Sequence, residues 1–248
     1  MCLIAFDWQP GGSLPLLLAA NRDEFYARPT AAMAWWEGRP ILAGRDLQAG
    51  GTWLGVRPDG RFAALTNHRD PKAMKDGAPS RGQLPVRFLA GGESASAFLE
   101  ALRSEAVVFS AFNLLLFDGQ ELLGYESRAD RLVSFEPGVH AVSNGAFNEP
   151  WPKVEALKAG LAQGELDDEA LLTLLADAHV YGDDRLPQTG VSAAWERALS
   201  PTFIRTPTYG TRASTILRLG QAQVSVLEQR FTWDGPQGRS EFRFERER

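Results

Sequence analysis

The chain has 248 residues, of which 44% are hydrophobic and 10% aromatic, so it holds enough apolar material for a substantial core. Its formal net charge of -5 argues against nucleic acid as a natural partner, because a phosphate-binding surface needs an excess of basic residues. A single cysteine excludes an internal disulfide and a cluster of thiolate metal ligands.

The N-terminal region predicts two paired strands. Residues 2–9 and 14–21 are apolar, and Pro10 to Ser13 between them is typical of a tight turn. The apolar part of the second strand resembles the core of a signal peptide, but no Lys or Arg precedes it and Asp7 interrupts the approach. No apolar run approaches the ~18 residues of a spanning helix. We therefore expect no membrane span and a cytoplasmic protein.

The middle of the chain predicts a second hairpin, then helices, then further strands. Residues 51–67 form the hairpin, with Asp59-Gly60 as its turn. A helix is expected around 83–90, and a clearer one over 94–104 with apolar residues on one face. Strands are then predicted over 113–117, 121–125, 132–135 and 139–143.

The C-terminal region predicts helices followed by closing strands. One helix opens at Pro150-Trp151-Pro152 and runs to about Leu161, a second covers 166–179, and residues 181–210 are expected to be mostly loop. The closing strands are predicted over 211–219, 223–232 and 241–244. Hairpin-linked strands with grouped helices indicate an α+β fold, and we expect one layered domain over residues 1–248.

Cys2 lies directly behind Met1. If Met1 is removed, as a small second residue usually permits, Cys2 carries both a thiol and a free α-amine. The amine titrates near ~7.7–8.0 and can accept the proton of a thiol whose ordinary pKa is about 8.5. The alternative is a small core residue, because Cys2 opens the apolar run 2–6.

Four polar clusters come at strand ends, and each has a chemical and a structural interpretation. An acidic side chain near Cys2 could orient a terminal ammonium, an Asn amide suits an oxyanion site, and an Arg lowers the pKa of a nearby thiol. The structural alternatives are a charged strand end, turn asparagines and a salt-bridged surface Arg. The clusters are Asn21-Arg22-Asp23-Glu24, Thr66-Asn67-His68, Ser143-Asn144 and Gly210-Thr211-Arg212.

Together with Cys2, these clusters resemble the NRDE family, which includes transport and Golgi organization 2. The resemblance spans most of the chain and rests on many motifs in order. They are Met1-Cys2-Leu3-Ile4, Asn21-Arg22-Asp23-Glu24-Phe25 with Arg28-Pro29, Gly44-Arg45-Asp46, Gly51-Thr52-Trp53-Leu54-Gly55, Leu65-Thr66-Asn67, Ser80-Arg81-Gly82, Ser143-Asn144 with Pro150-Trp151-Pro152-Lys153, and Gly210-Thr211-Arg212.

More distantly, the order of motifs resembles the choloylglycine hydrolase and penicillin V acylase group of N-terminal-nucleophile (Ntn) hydrolases. That resemblance implies an αββα sandwich of two mainly antiparallel sheets flanked by helices. It implies that Cys2 is the nucleophile and that Asp23 lies beside the α-amine. It further implies that Asn67 and Asn144 form the oxyanion site and hold the terminus, and that Arg212 lies close to the thiol.

One position departs from the acylase pattern. The acylases carry an Arg immediately before their Asn-x-Asp, and here that position is Ala20. Arg22 has the same parity as Ala20, so on an unbulged strand it shares that face, while Asn21 and Asp23 share the other. The side chains predicted to bind substrate are Asn21, Arg22, Trp53 and His68.

Two functions are consistent with these residues. The first is an N-terminal-cysteine hydrolase or acyltransferase that acts on an amide or thioester of a small molecule. The second is a non-catalytic protein that binds or carries haem or another small molecule on the same scaffold; haem is a ligand that the family resemblance permits, and no motif in the sequence indicates it. The hydrolase needs no cofactor, and the three histidines have no metal-ligand spacing. The oligomeric state stays open.

Overall fold

The computed structural model describes residues 2–247. Met1 and Arg248 lie outside the described residues. The expectation that Met1 is removed therefore also lies outside them. One antiparallel sheet has six strands, in the spatial order β10 (Gly138–Val142), β1 (Cys2–Trp8), β2 (Leu16–Phe25), β11 (Tyr209–Leu219), β12 (Gln223–Thr232) and β13 (Gly235–Glu245). We call it the first sheet.

The second sheet has seven antiparallel strands in chain order. They are β3 (Thr30–Trp35), β4 (Leu42–Asp46), β5 (Leu54–Val56), β6 (Phe62–Asn67), β7 (Phe112–Phe117), β8 (Leu122–Glu126) and β9 (Arg131–Ser134). The helices are α1 (Gln83–Ala90), α2 (Ala95–Glu105), α3 (Pro152–Leu161), α4 (Asp168–Leu175) and α5 (Ala193–Ala198). Among residues 2–247, none of these helices is long and apolar enough to cross a membrane.

Strict alternation along β1 explains how the two sheets stack. Ile4 and Phe6 point into a core between the sheets, whereas Leu3 and Ala5 point outward against α3 and α4. The second sheet buries its outer face in the same way against α1 and α2. Three apolar layers therefore separate four layers of secondary structure, which confirms the predicted α+β class and the αββα order.

The predicted elements were wrong in four places. No strand was expected between residues 22 and 50, but β3 and β4 lie there; β3 is rich in alanine, which has low strand propensity. Helix α4 ends at Leu175, four residues earlier than expected. Helix α5 lies inside the predicted loop. Strand β13 is longer than predicted, because its first part, residues 235–240, contains no large apolar residue that would indicate a strand.

Candidate active site

A cavity of about 370 Å³ opens at one end of the interface between the sheets. Its wall comes from the first residue of β1, the last residues of β2 and β6, and the segment 74–82. Cys2 contributes to this wall although its side chain is only 7% exposed. A small molecule that entered the cavity would therefore meet the only thiol of the chain.

The Cys2 thiol is held in its protonated form by its surroundings. Burial raises the pKa of this thiol, and the carboxylates of Asp23 and Glu24 act in the same direction, while Arg22 opposes them. A thiol with a raised pKa is a weak nucleophile at neutral pH. Any nucleophilic chemistry at Cys2 therefore needs a base close to the sulfur.

Asp23 lies at the end of β2 and also lines the cavity. Its carboxylate is almost fully buried, and Oδ1 accepts a hydrogen bond of 2.8 Å from Thr211 Oγ1. Burial raises the pKa of Asp23, while the Lys153 ammonium and the bond from Thr211 act in the opposite direction. This carboxylate is thus placed to interact with a cation at the start of β1.

Lys153 is a buried cation. It belongs to the Pro150-Trp151-Pro152-Lys153 motif, from which no role was predicted for it. It lies in the first turn of α3, and its Nζ donates to the carbonyl of Leu199 at 2.9 Å. Burial lowers the pKa of Lys153 to about 8, while the negative charge of Asp23 opposes that shift. In the sequence, a lysine within the apolar first turn of a predicted helix was the feature that could have identified this buried cation.

Lys153→Met is expected to raise the pKa of the Cys2 thiol, because it removes a nearby positive charge. Lys153 is protonated below about pH 8, so the variant should differ most from the parent below that pH. We expect iodoacetamide to alkylate Cys2 about 3- to 10-fold more slowly at neutral pH, since one pKa unit changes the thiolate fraction tenfold. Lys158→Met, on the same helix but paired with Glu155, is the matched control. Equal slowing in both variants would contradict the assignment.

Asn144 ties three segments together, but it lines a different cavity from that of Cys2. Its Nδ2 donates to the backbone carbonyl of Asn67 at 2.8 Å, and its own carbonyl accepts from the backbone N–H of Arg69 at 2.7 Å. Ser143 Oγ lies 3.4 Å from the carbonyl of Cys2 and 3.3 Å from Asn144 Oδ1. Asn144 thus fixes the end of β6, and the side chain of Asn67 lines the Cys2 cavity.

Arg212 sits at a bulge in β11, between the residues that pair with Asp23 and Arg22. Its Nη1 donates to the backbone carbonyls of Phe25, Tyr26 and Arg28 at 2.9, 3.1 and 3.2 Å. It does not line the Cys2 cavity. In the described part of the chain, Arg212 therefore holds the turn that follows β2.

Arg22 is the cross-strand partner of Cys2. The register between β1 and β2 is unbroken, so Arg22 lies on the same face as Ala20, as its parity predicts. Its guanidinium stacks on the ring of Trp53 at 4.4 Å, and both side chains line the cavity. The structure thus brings two of the four predicted substrate-binding residues next to Cys2.

The other two predicted substrate-binding residues lie elsewhere. Asn21 points to the opposite face of β2, where Nδ2 donates to the carbonyls of Leu175 and Thr202 at 2.8 and 2.9 Å. Its buried amide thereby donates to the last carbonyl of α4, and Asn21 does not line the Cys2 cavity. His68 lines a separate cavity of about 390 Å³, and burial lowers its pKa. Neither residue therefore faces the thiol.

Gly51→Ala tests how tightly the cavity wall is packed. A methyl group on Gly51 would collide with the backbone carbonyl of Gly82 and lie 2.9 Å from its Cα, just ahead of α1. We expect unfolding free energy to fall by about 3 kcal/mol, because overpacking against backbone cannot be relieved by a rotamer change. Gly92→Ala, which meets nothing within 4 Å, is the control. Equal chemical-denaturation midpoints for the two variants would contradict the prediction.

No metal site accompanies these residues in the described chain. Among residues 2–247, no group of three or more His, Cys, Asp or Glu side chains is arranged to hold a metal ion.

Two solved structures are similar to this chain in their arrangement of elements. One is a Caenorhabditis elegans N-acylethanolamine-hydrolyzing acid amidase ortholog, at 11% identity and a TM-score of 0.49 over 81% of this chain and 98% of that one. Another is a mutant conjugated bile acid hydrolase from Clostridium perfringens, at 12% identity and a TM-score of 0.48 over 99% of this chain and 98% of that one.

Sequence comparison gives a closer relationship. A homolog of transport and Golgi organization protein 2 from Bos taurus is 32% identical over 246 residues, which is 88% of each chain. The Mus musculus homolog is 31% identical over 243 residues, again 88% of each chain. The family described as Transport and Golgi organisation 2 matches residues 1–232. The chain therefore belongs to this family, which confirms the resemblance that its NRDE motifs predict.

Proposed function

We propose that the chain, once Met1 is removed, is an N-terminal-nucleophile hydrolase or acyltransferase that acts on an amide or thioester of a small molecule. The observation that carries the proposal is the position of Cys2 in the cavity wall beside Asp23 and Asn67. Burial raises the pKa of the thiol, and in this proposal the α-amine that removal of Met1 exposes supplies the base that a protonated thiol needs.

The proposed reaction has two halves. The α-amine of Cys2 takes the thiol proton, sulfur attacks the carbonyl carbon, and an S–C bond forms. The C–N or C–S bond of the substrate then breaks, and the protonated amine returns its proton to the leaving group. In the second half, water or another acceptor attacks the thioester, the S–C bond breaks, and the thiol is restored.

Two neighbouring residues have supporting roles in this proposal. The Asn67 amide donates to the developing oxyanion together with a backbone N–H. Asp23 stabilises the ammonium form of the α-amine after it has taken the thiol proton. The hydrogen bond from Asn144 to the Asn67 carbonyl supports the first role, because it fixes the backbone that carries the donor.

Intact-mass spectrometry with an electrophilic acyl probe tests the proposal. A purified preparation that contains molecules with and without Met1 is incubated with a simple β-lactone. We expect a single acyl adduct, confined to molecules that lack Met1 and located on Cys2 by peptide mapping. Adducts spread over lysines, or equal labelling of molecules that retain Met1, would overturn the proposal.

The haem-binding alternative has less support from the geometry. Cysteine, histidine, methionine and tyrosine side chains can ligate haem iron. Of the first two kinds, Cys2 and His68 line different cavities. The two could therefore not ligate one iron from opposite sides. An absorbance titration with haem, repeated on His68→Ala, tests the alternative directly.

A further inference from the structure

Two arginines of the Cys2 cavity lack a close acidic partner. Arg22 is 5% exposed, and the nearest carboxylate paired with it, Glu24, is 3.9 Å from its Nη2. Its only side-chain hydrogen bond within residues 2–247 is a long one of 3.4 Å, to Thr30 Oγ1. Arg81 donates to the carbonyl of Ala111 at 3.1 Å and makes no ion pair in the described part of the chain.

The third arginine of the cavity differs from these two. Arg28 donates from both Nε and Nη2 to Asp46 Oδ2, each at 2.8 Å, and also lies 3.9 Å from Glu24. Its charge is therefore neutralised within the fold. Because Glu24 is shared with Arg28, it does not fully compensate Arg22. Within the described residues, the cations of the wall without a full carboxylate partner are therefore Arg22, Arg81 and Lys75, while the remaining carboxylate of the wall, Asp23, interacts with Lys153.

The start of α1 adds to this positive potential. Ser80, Arg81 and Gly82 line the cavity immediately before the helix. The first turn of α1 contains no acidic residue, and no side chain caps the helix. The N–H groups of Gly82, Gln83 and Leu84 are used locally, so the contribution of the helix is the field of its dipole rather than free donors.

The two guanidinium groups are also held in place. Arg22 is fixed by its stacking on Trp53, and Trp53 is itself only 9% exposed. Arg81 is anchored by its bond to the carbonyl of Ala111, and burial lowers its pKa while the negative charge of Glu24 opposes that effect. A positioned, partly desolvated guanidinium binds carboxylate or phosphate more strongly than a mobile surface one.

We propose that the substrate carries a carboxylate or phosphate group, which binds between Arg22 and Arg81 while the acyl carbon lies at Cys2. This inference rests on the proposed hydrolase function for the acyl carbon, but the anion site itself does not depend on catalysis. It names the substrate class as anionic amides or thioesters. The same charge disfavours cationic acyl groups of equal size.

Calorimetric binding to Cys2→Ala tests the anion site without turnover. The probes are hexanoate, butyl phosphate and, as the neutral match, hexanamide. We expect saturable binding of at least one anion and at least tenfold weaker binding of the amide. The anion that binds more tightly identifies the group; equal binding of all three, or binding of none, would overturn the proposal.

Second substitutions in the Cys2→Ala background locate the site. Arg22→Gln and Arg81→Gln should each weaken the anion about tenfold or more, as expected for loss of one charge-assisted contact. Arg22→Lys and Arg81→Lys keep the charge for the case in which the glutamine variants unfold, and they should bind with intermediate affinity. Arg103→Gln, on the exposed face of α2 and paired with Asp130, should bind like the parent.

The outcomes separate the anion site from the hydrolase. Weakening by Arg103→Gln equal to that by the cavity variants would indicate nonspecific charge and overturn the anion site. Anion binding that depends on Arg22 and Arg81, combined with failure of acyl labelling at Cys2, would sustain the anion site and reject the hydrolase. Labelling at Cys2 without anion binding would sustain the hydrolase and reject the anion site.

Discussion

Cys2→Ala is expected to reduce turnover of an activated thioester by about 10⁴-fold or more, since loss of a nucleophile removes the covalent route altogether. Cys2 lies in the cavity wall with Asp23 and Asn67. It is the only cysteine of the chain, so no other thiol can replace it. The measurement is the steady-state rate of hydrolysis of an S-phenyl thioester, on protein whose mass confirms that Met1 is absent.

A change of fold must be separated from loss of the nucleophile. Cys2 borders the core between the sheets, so the alanine variant should lose only about 1 kcal/mol of stability, as for a small group at a core edge. Cys2→Ser keeps a hydroxyl at the same place and should be nearly as inactive, because serine has a far higher pKa than cysteine. Turnover of Cys2→Ala within tenfold of the parent would refute the nucleophile.

Much of the cavity could be predicted from the sequence, because strand parity is a local rule. Side chains two apart on β2 share a face, so Arg22 follows Ala20 to the face that carries Cys2. The ordered motifs identified the family, and the polar ends of β1, β2 and β6 do meet at one cavity. These features depend on residue order and on period alone.

Contacts between distant segments could not be read from the sequence in the same way. Asn21 looks like a site residue beside Asp23, yet its partners are carbonyls at Leu175 and Thr202, more than 150 positions away. Lys153 can be recognised as a candidate site residue only in the folded chain, where α3 brings its charge close enough to interact with Asp23. Parity assigned Asn21 to the correct face, but the pattern could not tell which segment covers that face.

Side chains from turns were the other difficulty. Arg81 precedes α1 and reaches the cavity only because the backbone of Gly82 packs against Gly51. Arg212 was expected near the thiol, but a bulge in β11 directs it to the turn after β2. Bulges and turn contacts depend on tertiary packing, which a period of two does not report.

Glu196→Ala is expected to destabilise the protein by about 3–5 kcal/mol, the range for a buried ion pair that loses one partner. Arg69 Nη1 lies 2.8 Å from Glu196 Oε2, and the two side chains are only 5% and 6% exposed. Glu196 also accepts from the backbone N–H and the hydroxyl of Thr189, so it joins α5 and the preceding loop to the segment that follows β6. Guanidinium-induced unfolding followed by circular dichroism measures the change.

Two controls separate burial from charge. Glu105→Ala removes the partner of Arg87 in an ion pair that is 47% and 40% exposed, and it should cost less than about 1 kcal/mol. The double variant Arg69→Met/Glu196→Met should be more stable than Glu196→Ala, because no charge is then left buried alone. Since Arg69 also contacts Asn144, Glu196→Ala should slow acyl labelling of Cys2 as well. Equal losses of unfolding free energy in Glu196→Ala and Glu105→Ala would show that the buried Arg69–Glu196 pair does not stabilise the structure around the site.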